Sequence, residues 1–203
     1  AELENGERLE GESCIGQANS PIVRLGCTPA RPAALPRALE AIAQADMIVL
    51  GPGSLYTSLL PNLLVPELVE AISRSQAPRL YICNLMTQPG ETDGLDVSGH
   101  LRAIESQLAS IGVQQRLFDA VLAQDTLPAG PELDYYRARG AEPVDCDLDG
   151  LKQQGYRVML ASMQGPQQRS QGLDFKGTLR HDSRSLALAV MRFYRAKAKR
   201  QND

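Results

Sequence analysis

Short, continuous apolar runs alternate with amphipathic segments along most of the chain. The runs at 80–83, 118–122 and 157–160 predict strands, and the run at 47–50 is typical of a central strand in a parallel sheet. Between the runs, apolar residues recur at helical spacing. We therefore predict an α/β fold in which a mainly parallel sheet lies between two layers of helices.

The amphipathic segments contain helix-start signals. A proline in the first turn or an aspartate that can accept backbone N–H groups marks most of them. The signals are Leu35, Leu39 and Ile42 for a helix ending at Asp46, Pro66 with Val69 and Ile72, Asp96 or Ser98 before Leu101, Ile104 and Leu108, Asp147 or Asp149 before Gly155, and Asp182 before Leu186, Ala189, Val190 and Phe193. The polar stretch 164–176 predicts a mobile loop.

The two ends of the chain differ in character. Residues 1–20 predict a hairpin region because Asn5-Gly6 is a strong hairpin-turn signal, and a strand follows at Ile22–Leu25. The polar segment 196–203 predicts a disordered tail. With 203 residues, the chain is long enough for one sizeable core, so we expect a single domain over 1–203.

Composition narrows the classes of partner. The net charge of −3 gives no general attraction to nucleic acid, and no run approaches the roughly 20 apolar residues of a membrane span. Four widely spaced cysteines without a Cys-x-x-Cys pair favour free thiols in a reducing compartment, although disulfides stay open. We expect a cytoplasmic protein, and the sequence leaves a homo-oligomer open.

The loop that follows the run at 47–50 contains candidate ligand-binding residues. Gly51 and Gly53 let backbone N–H groups approach an anion, while Ser54 and Thr57 supply hydroxyl groups. The loop therefore predicts a phosphate site, and a plain tight turn between strand and helix is the alternative. It lacks the Gly-Lys-Ser/Thr of a P-loop and the third glycine of the dinucleotide fingerprint.

A second polar loop follows the run at 80–83. Asn84 either contacts a ligand or ties the two loops together, and Thr87 is a weaker candidate of the same kind. Glu91 either faces a hydroxyl or metal, or is a solvated or structural residue. Because ligands bind at the carboxyl ends of parallel strands, two such loops predict a cleft at that edge of the sheet.

Three separated stretches resemble the CofD-like family in the right order. They are Gly51 to Leu64 (Gly-Pro-Gly-Ser-Leu-Tyr-Thr-Ser-Leu-Leu-Pro-Asn-Leu-Leu), Tyr81 to Thr92 (Tyr-Ile-Cys-Asn-Leu-Met-Thr-Gln-Pro-Gly-Glu-Thr) and Arg180-His181-Asp182. Tyr136, four residues before Gly140, matches a further pattern of the family. The resemblance implies a Rossmann-like fold. The family's upstream Gly-Gly-Gly-Thr-Gly loop is not in this sequence, so we expect the chain to be the C-terminal portion of the fold.

The resemblance implies two functions, and a third stays open. In the gluconeogenesis-factor branch, a regulator binds a uridine nucleotide sugar such as UDP-N-acetylglucosamine and supports cell shape and growth on gluconeogenic carbon. Here Arg180 would assist the phosphates and Tyr136 would lie near the base or sugar. In the transferase branch, a phospholactyl group moves from a guanosine diphosphate-linked donor, with magnesium. The third possibility is a partner-binding scaffold without catalysis.

Overall fold

The computed structural model describes residues 1–164 and 179–201, so the predicted loop at 164–176 lies outside the described residues except for its first residue. The strands are β1 Glu2–Leu3, β2 Ile22–Arg24, β3 Ile48–Leu50, β4 Arg79–Ile82, β5 Ala120–Gln124 and β6 Arg157–Ala161. The helices are α1 Glu12–Ile15, α2 Pro36–Ala43, α3 Leu60–Leu63, α4 Pro66–Arg74, α5 Val97–Ser110, α6 Pro131–Arg137, α7 Leu148–Gln153 and α8 Ser183–Gln201, and a π-helical turn spans Leu55–Leu59.

Four strands form a parallel sheet in the order β3-β4-β5-β6. Leu50 lies opposite Tyr81, Ile82 opposite Leu122, and Gln124 opposite Ala161. Because the strands are parallel, their carboxyl ends meet at one edge of the sheet, where ligands of such folds bind. β1 and β2 form a separate antiparallel pair. The predicted α/β architecture with a parallel sheet is confirmed.

The position of β3 in the sheet differs from the prediction. Its apolar sequence is typical of a central strand, but among the described strands β3 lies at the edge of the sheet, beside β4 alone. Val49 is 39% exposed, so one face of β3 is only partly covered by the described residues. A continuous apolar run indicates that both faces of a strand are covered by other elements. It does not indicate whether neighbouring strands pair with both of its edges.

Strand alternation separates two hydrophobic cores. Tyr81, Val121 and Ala123 face one core together with α4, α5 and α7. Leu80 and Leu122 face the other, which α8 covers. The residues of α8 that enter this core are Leu186, Ala189, Val190 and Phe193, the face that the sequence predicts. The sheet is therefore the middle of three layers.

Helix starts agree closely with the sequence. Asp96 accepts a hydrogen bond from Gly99 N at 2.6 Å, Asp147 from Gly150 N at 3.0 Å, and Asp182 from Ser185 N at 2.7 Å. Each carboxylate satisfies an N–H group that has no partner inside its helix. Pro66 begins α4 as expected. These local signals fixed where the helices begin.

Two regions differ from their local predictions. Helix α6 begins at Pro131, in a segment for which we predict no helix. Helix α8 continues to Gln201, into the segment 196–203 for which the sequence predicts a disordered tail. The hairpin turn at Asn5-Gly6 is present, since Leu3 N donates to Glu7 O at 2.9 Å and Gly6 has φ +83°.

Candidate functional site

The loop after β3 packs directly against the end of β4. Gly51 has φ +93°, and a Cβ atom placed on it would lie 2.6 Å from the carbonyl oxygen of Ile82. A side chain there would meet both a strained backbone and a steric clash. Gly51 therefore acts by allowing close approach of two strand ends.

A π-helical turn then presents the hydroxyl groups. Leu59 N donates to Ser54 O at 2.9 Å, five residues back, and Ser58 N donates to the same oxygen at 3.0 Å. Pro61 follows, and a proline cannot donate to the carbonyl four residues earlier and clashes with it. This residue accounts for the widened turn. Fully buried Leu55 and Leu60 anchor the turn in the core.

Asn84 joins the two strand-end loops. Its Oδ1 accepts from Gly53 N at 3.2 Å, and its Nδ2 donates to Gly53 O at 2.9 Å. The side-chain amide thus mimics a backbone pairing between the loops. The structure therefore shows the interpretation in which Asn84 links the two loops. The Gly53 N–H is used in this link.

Two side chains of the second loop contact the hydroxyls of the first. Gln88 Nε2 donates to Ser54 Oγ at 2.7 Å, which leaves the Ser54 proton available for an acceptor. Thr57 Oγ1 donates to Glu91 Oε1 at 3.0 Å, so its proton is already used. The two hydroxyls therefore offer opposite chemistry to a ligand. Ser54 can donate, whereas Thr57 can only accept.

Thr87 is bonded to the chain segment that precedes α7. Its side chain is buried, its Oγ1 accepts from Glu142 N at 2.9 Å, and its backbone N donates to Glu142 O at 2.7 Å. Met86 also forms a bridge with Pro143. Thr87 thus fastens the second loop to the segment before α7, and its contacts are not shared with Gly53 or Ser54.

The segment 179–182 is held at the same edge of the sheet. Tyr136 OH accepts from Leu179 N at 3.0 Å and donates to Leu179 O at 3.4 Å. His181 Nε2 lies 3.4 Å from Cys83 O, directly before Asn84. Arg180 is exposed between these two anchored neighbours. The structure therefore brings the backbone at Arg180 to the strand ends, and the Tyr136 hydroxyl is hydrogen-bonded to the backbone of Leu179.

Burial sets the protonation of three groups near the strand ends. It raises the pKa of the Cys83 thiol to about 12, so this thiol is not a nucleophile at neutral pH. Burial, followed by the charge of Glu91, raises the pKa of Tyr56. Burial also lowers the pKa of His181, against the bond to Cys83 O. A neutral imidazole that donates from Nε2 suits that contact.

Magnesium, which the transferase branch would require, finds no set of ligands here. Within residues 1–164 and 179–201, no three or more His, Cys, Asp or Glu side chains are grouped so that they could hold a metal ion. Mg²⁺ needs carboxylate ligands beside substrate phosphates. The described residues thus contain no cluster that would hold a metal ion by protein ligands alone, and we derive no step through magnesium. No helix in the described ranges has the length and apolarity of a membrane span.

Sequence patterns gave little indication of how Gln88 and Glu91 are placed. Glu91 is only 8% exposed, so it is not a solvated glutamate. Its contact with Thr57 joins residues 34 positions apart, and no local periodicity reports such a pair. The nearest signal was the Pro89-Gly90 turn. Gly90 has φ +84° and packs against the backbone of Ala18, which fixes the turn beside Glu91.

Comparison with known proteins assigns this arrangement to a family. The family model described as 2-phospho-L-lactate transferase CofD matches residues 1–164. The match includes both strand-end loops, and the chain belongs to the CofD family.

Relatives within the family carry a more specific name. The "Putative gluconeogenesis factor" of Nostoc sp. (strain PCC 7120) is 47% identical over 194 residues, covering 96% of this chain and 40% of that protein. The "Gluconeogenesis factor" of Bacillus subtilis (strain 168) is 36% identical over 188 residues, covering 92% and 55%. A crystal structure of a UPF0052 family member from Bacillus halodurans superposes with a TM-score of 0.81 at 40% identity, covering 94% and 56%. The chain thus spans roughly half the length of these relatives.

Proposed function

We propose that the carboxyl edge of this sheet forms one wall of a cleft that binds a nucleotide sugar of the UDP-N-acetylglucosamine kind, in a cytoplasmic regulatory protein. The observation that carries the proposal is the convergence of two strand-end loops on one site. Asn84 ties the loops together, and Gln88 leaves the Ser54 proton free to donate to a phosphate oxygen.

Arg180 supplies the charge that this site needs. The segment that contains Arg180 is anchored at Tyr136 and Cys83, which supports a role for its guanidinium at the edge where the phosphates would lie. Guanidinium groups bind diphosphates through paired, charge-assisted hydrogen bonds. In this proposal Gly51 and Gly53 shape the loop, Ser54 and Arg180 contact the phosphates, and Tyr136 positions Arg180.

The names of the relatives, which call them gluconeogenesis factors, support the first candidate, a role connected with gluconeogenesis. The description of the matching family supports the second candidate, phospholactyl transfer from a guanosine diphosphate-linked donor. We place the regulator first because the relatives at 47% and 36% identity carry that more specific name, whereas the family description is broader.

Calorimetry of the purified protein separates these candidates. The protein is titrated with UDP-N-acetylglucosamine and, separately, with a guanosine diphosphate-linked phospholactate, and product formation from the second is followed with a deazaflavin acceptor. The proposal expects saturable binding of the first ligand without its conversion. Turnover of the second ligand, with no binding of the first, would replace the regulator by the transferase.

A further inference from the structure

The pair of Thr57 and Glu91 has chemistry that a phosphate site does not need. Glu91 is nine-tenths buried, and its Oε1 accepts the Thr57 proton at 3.0 Å. Its Oε2 is also buried and has no hydrogen-bond partner among the described residues. Burying a carboxylate with one oxygen unpaired costs free energy, so we expect a role of Glu91 at the site.

The carboxylate fixes the direction of the Thr57 hydroxyl. An ionised carboxylate can only accept, so the single Thr57 proton must point toward Glu91. The lone pairs of Thr57 Oγ1 are what remains for a ligand. A phosphate oxygen, which is also an acceptor, would meet those lone pairs unfavourably.

Thr57 is half-buried and borders a cavity whose lining residues do not include Ser54. It lines a cleft of about 1080 Å³ between the hairpin region, the segment after β2 and the π-helical turn. Ser54 lies one turn earlier and keeps its proton. A ligand that spans both hydroxyls would therefore place an acceptor at Ser54 and a donor at Thr57.

We propose that Glu91 is a specificity-determining positioning residue, which orients Thr57 to accept a hydrogen bond from a hydroxyl or amide N–H of the ligand's sugar. The inference rests on the proposed function, and it names which end of the ligand lies at Thr57. The diphosphate contacts Ser54, and the sugar extends past the π-helical turn into the cleft beside Thr57.

The test compares UDP-N-acetylglucosamine with UDP, which has the diphosphate but lacks the donor sugar. We expect Thr57→Val to weaken binding of the nucleotide sugar by roughly tenfold, the value of one lost hydrogen bond, and to leave UDP binding unchanged within about twofold. Thr57→Ser retains the hydroxyl and should restore the affinity. Ser54→Ala is the matched control and should weaken both ligands.

Glu91→Gln tests the positioning role. The Gln amide can donate to Thr57, so the hydroxyl is free to turn outward, and the preference for the nucleotide sugar over UDP should fall as in Thr57→Val. The double variant Glu91→Gln/Thr57→Val should lose no more than Thr57→Val alone, because both act through one hydroxyl. A merely structural glutamate would lower thermal stability without changing the ratio of the two affinities.

Four outcomes would overturn the inference. Equal weakening of both ligands in Thr57→Val would place the phosphates at Thr57. A loss that disappears when EDTA is added would mean that Thr57 serves a divalent cation. Unchanged affinities in Thr57→Val, with Ser54→Ala still weakening both ligands, would reject the inference and leave the proposed function standing. If neither ligand binds the unmodified protein, the proposed function fails and the inference falls with it.

Discussion

Replacing Asn84 by alanine should destabilise the protein measurably, because Asn84 supports the geometry of the whole site. The change removes two hydrogen bonds to Gly53, each with a net value of about 1 kcal/mol in folded proteins. We expect the free energy of unfolding to fall by about 2 kcal/mol. For a domain of this size the midpoint of thermal unfolding should then fall by roughly 4–8 °C.

A matched control separates the tie from the loss of any asparagine. Asn62 donates to Ser58 O at 2.9 Å on the exposed side of the chain, so Asn62→Ala should change stability by less than about 0.5 kcal/mol. Asn84→Asp keeps the acceptor for Gly53 N but sets an oxygen against Gly53 O, and should destabilise at least as much as alanine. The reasoning is refuted if urea unfolding gives all three variants the stability of the unmodified protein.

Three further predictions test other parts of the account. Gly51→Ala should lower the free energy of unfolding by more than Gly112→Ala does. Both glycines have φ near +90°, but only a Cβ at Gly51 meets a backbone oxygen. Equal losses of stability in urea unfolding would contradict the close packing at Gly51. Tyr136→Phe should weaken nucleotide-sugar binding several-fold in calorimetry, whereas the control Tyr135→Phe should leave it unchanged. In an Arg180→Ala background, Tyr136→Phe should have no added effect. Additive losses would show that Tyr136 does not act through Arg180. Burial lowers the pKa of His100, so its stabilising contribution is complete above about pH 6.5 and is lost as pH falls toward the folded-state pKa. The free energy of unfolding, measured at pH 7.5 and 5.0, should therefore depend less on pH in His100→Asn than in the unmodified protein. An unchanged pH dependence would exclude this role.

Much of the fold was accessible from local sequence signals. Asp96, Asp147 and Asp182 begin helices because a carboxylate there meets N–H groups a few residues away. The two polar loops were expected at one edge of the sheet because parallel strands end together. Both inferences depend on neighbours in sequence or on a topological rule, and the structure agrees with both.

Other features depend on contacts that no local pattern reports. The hydrogen bond between the Tyr136 hydroxyl and Leu179 N joins residues 43 apart, so no local pattern reports that this side chain holds the backbone there. The burial of Glu91 arises from α1 and the π-helical turn packing around it. The edge position of β3 depends on which strands pair with it, and its own composition does not determine that.

A heteronuclear NMR titration with UDP-N-acetylglucosamine tests the location of the proposed site most directly. The account predicts saturable shifts of the backbone amides of Gly53, Ser54 and Asn84 and of segment 179–182. The amides of Arg79 and Asp119, at the opposite end of the strands, should stay unchanged. Shifts confined to that opposite end, or no saturable shifts at the strand-end loops, would contradict it.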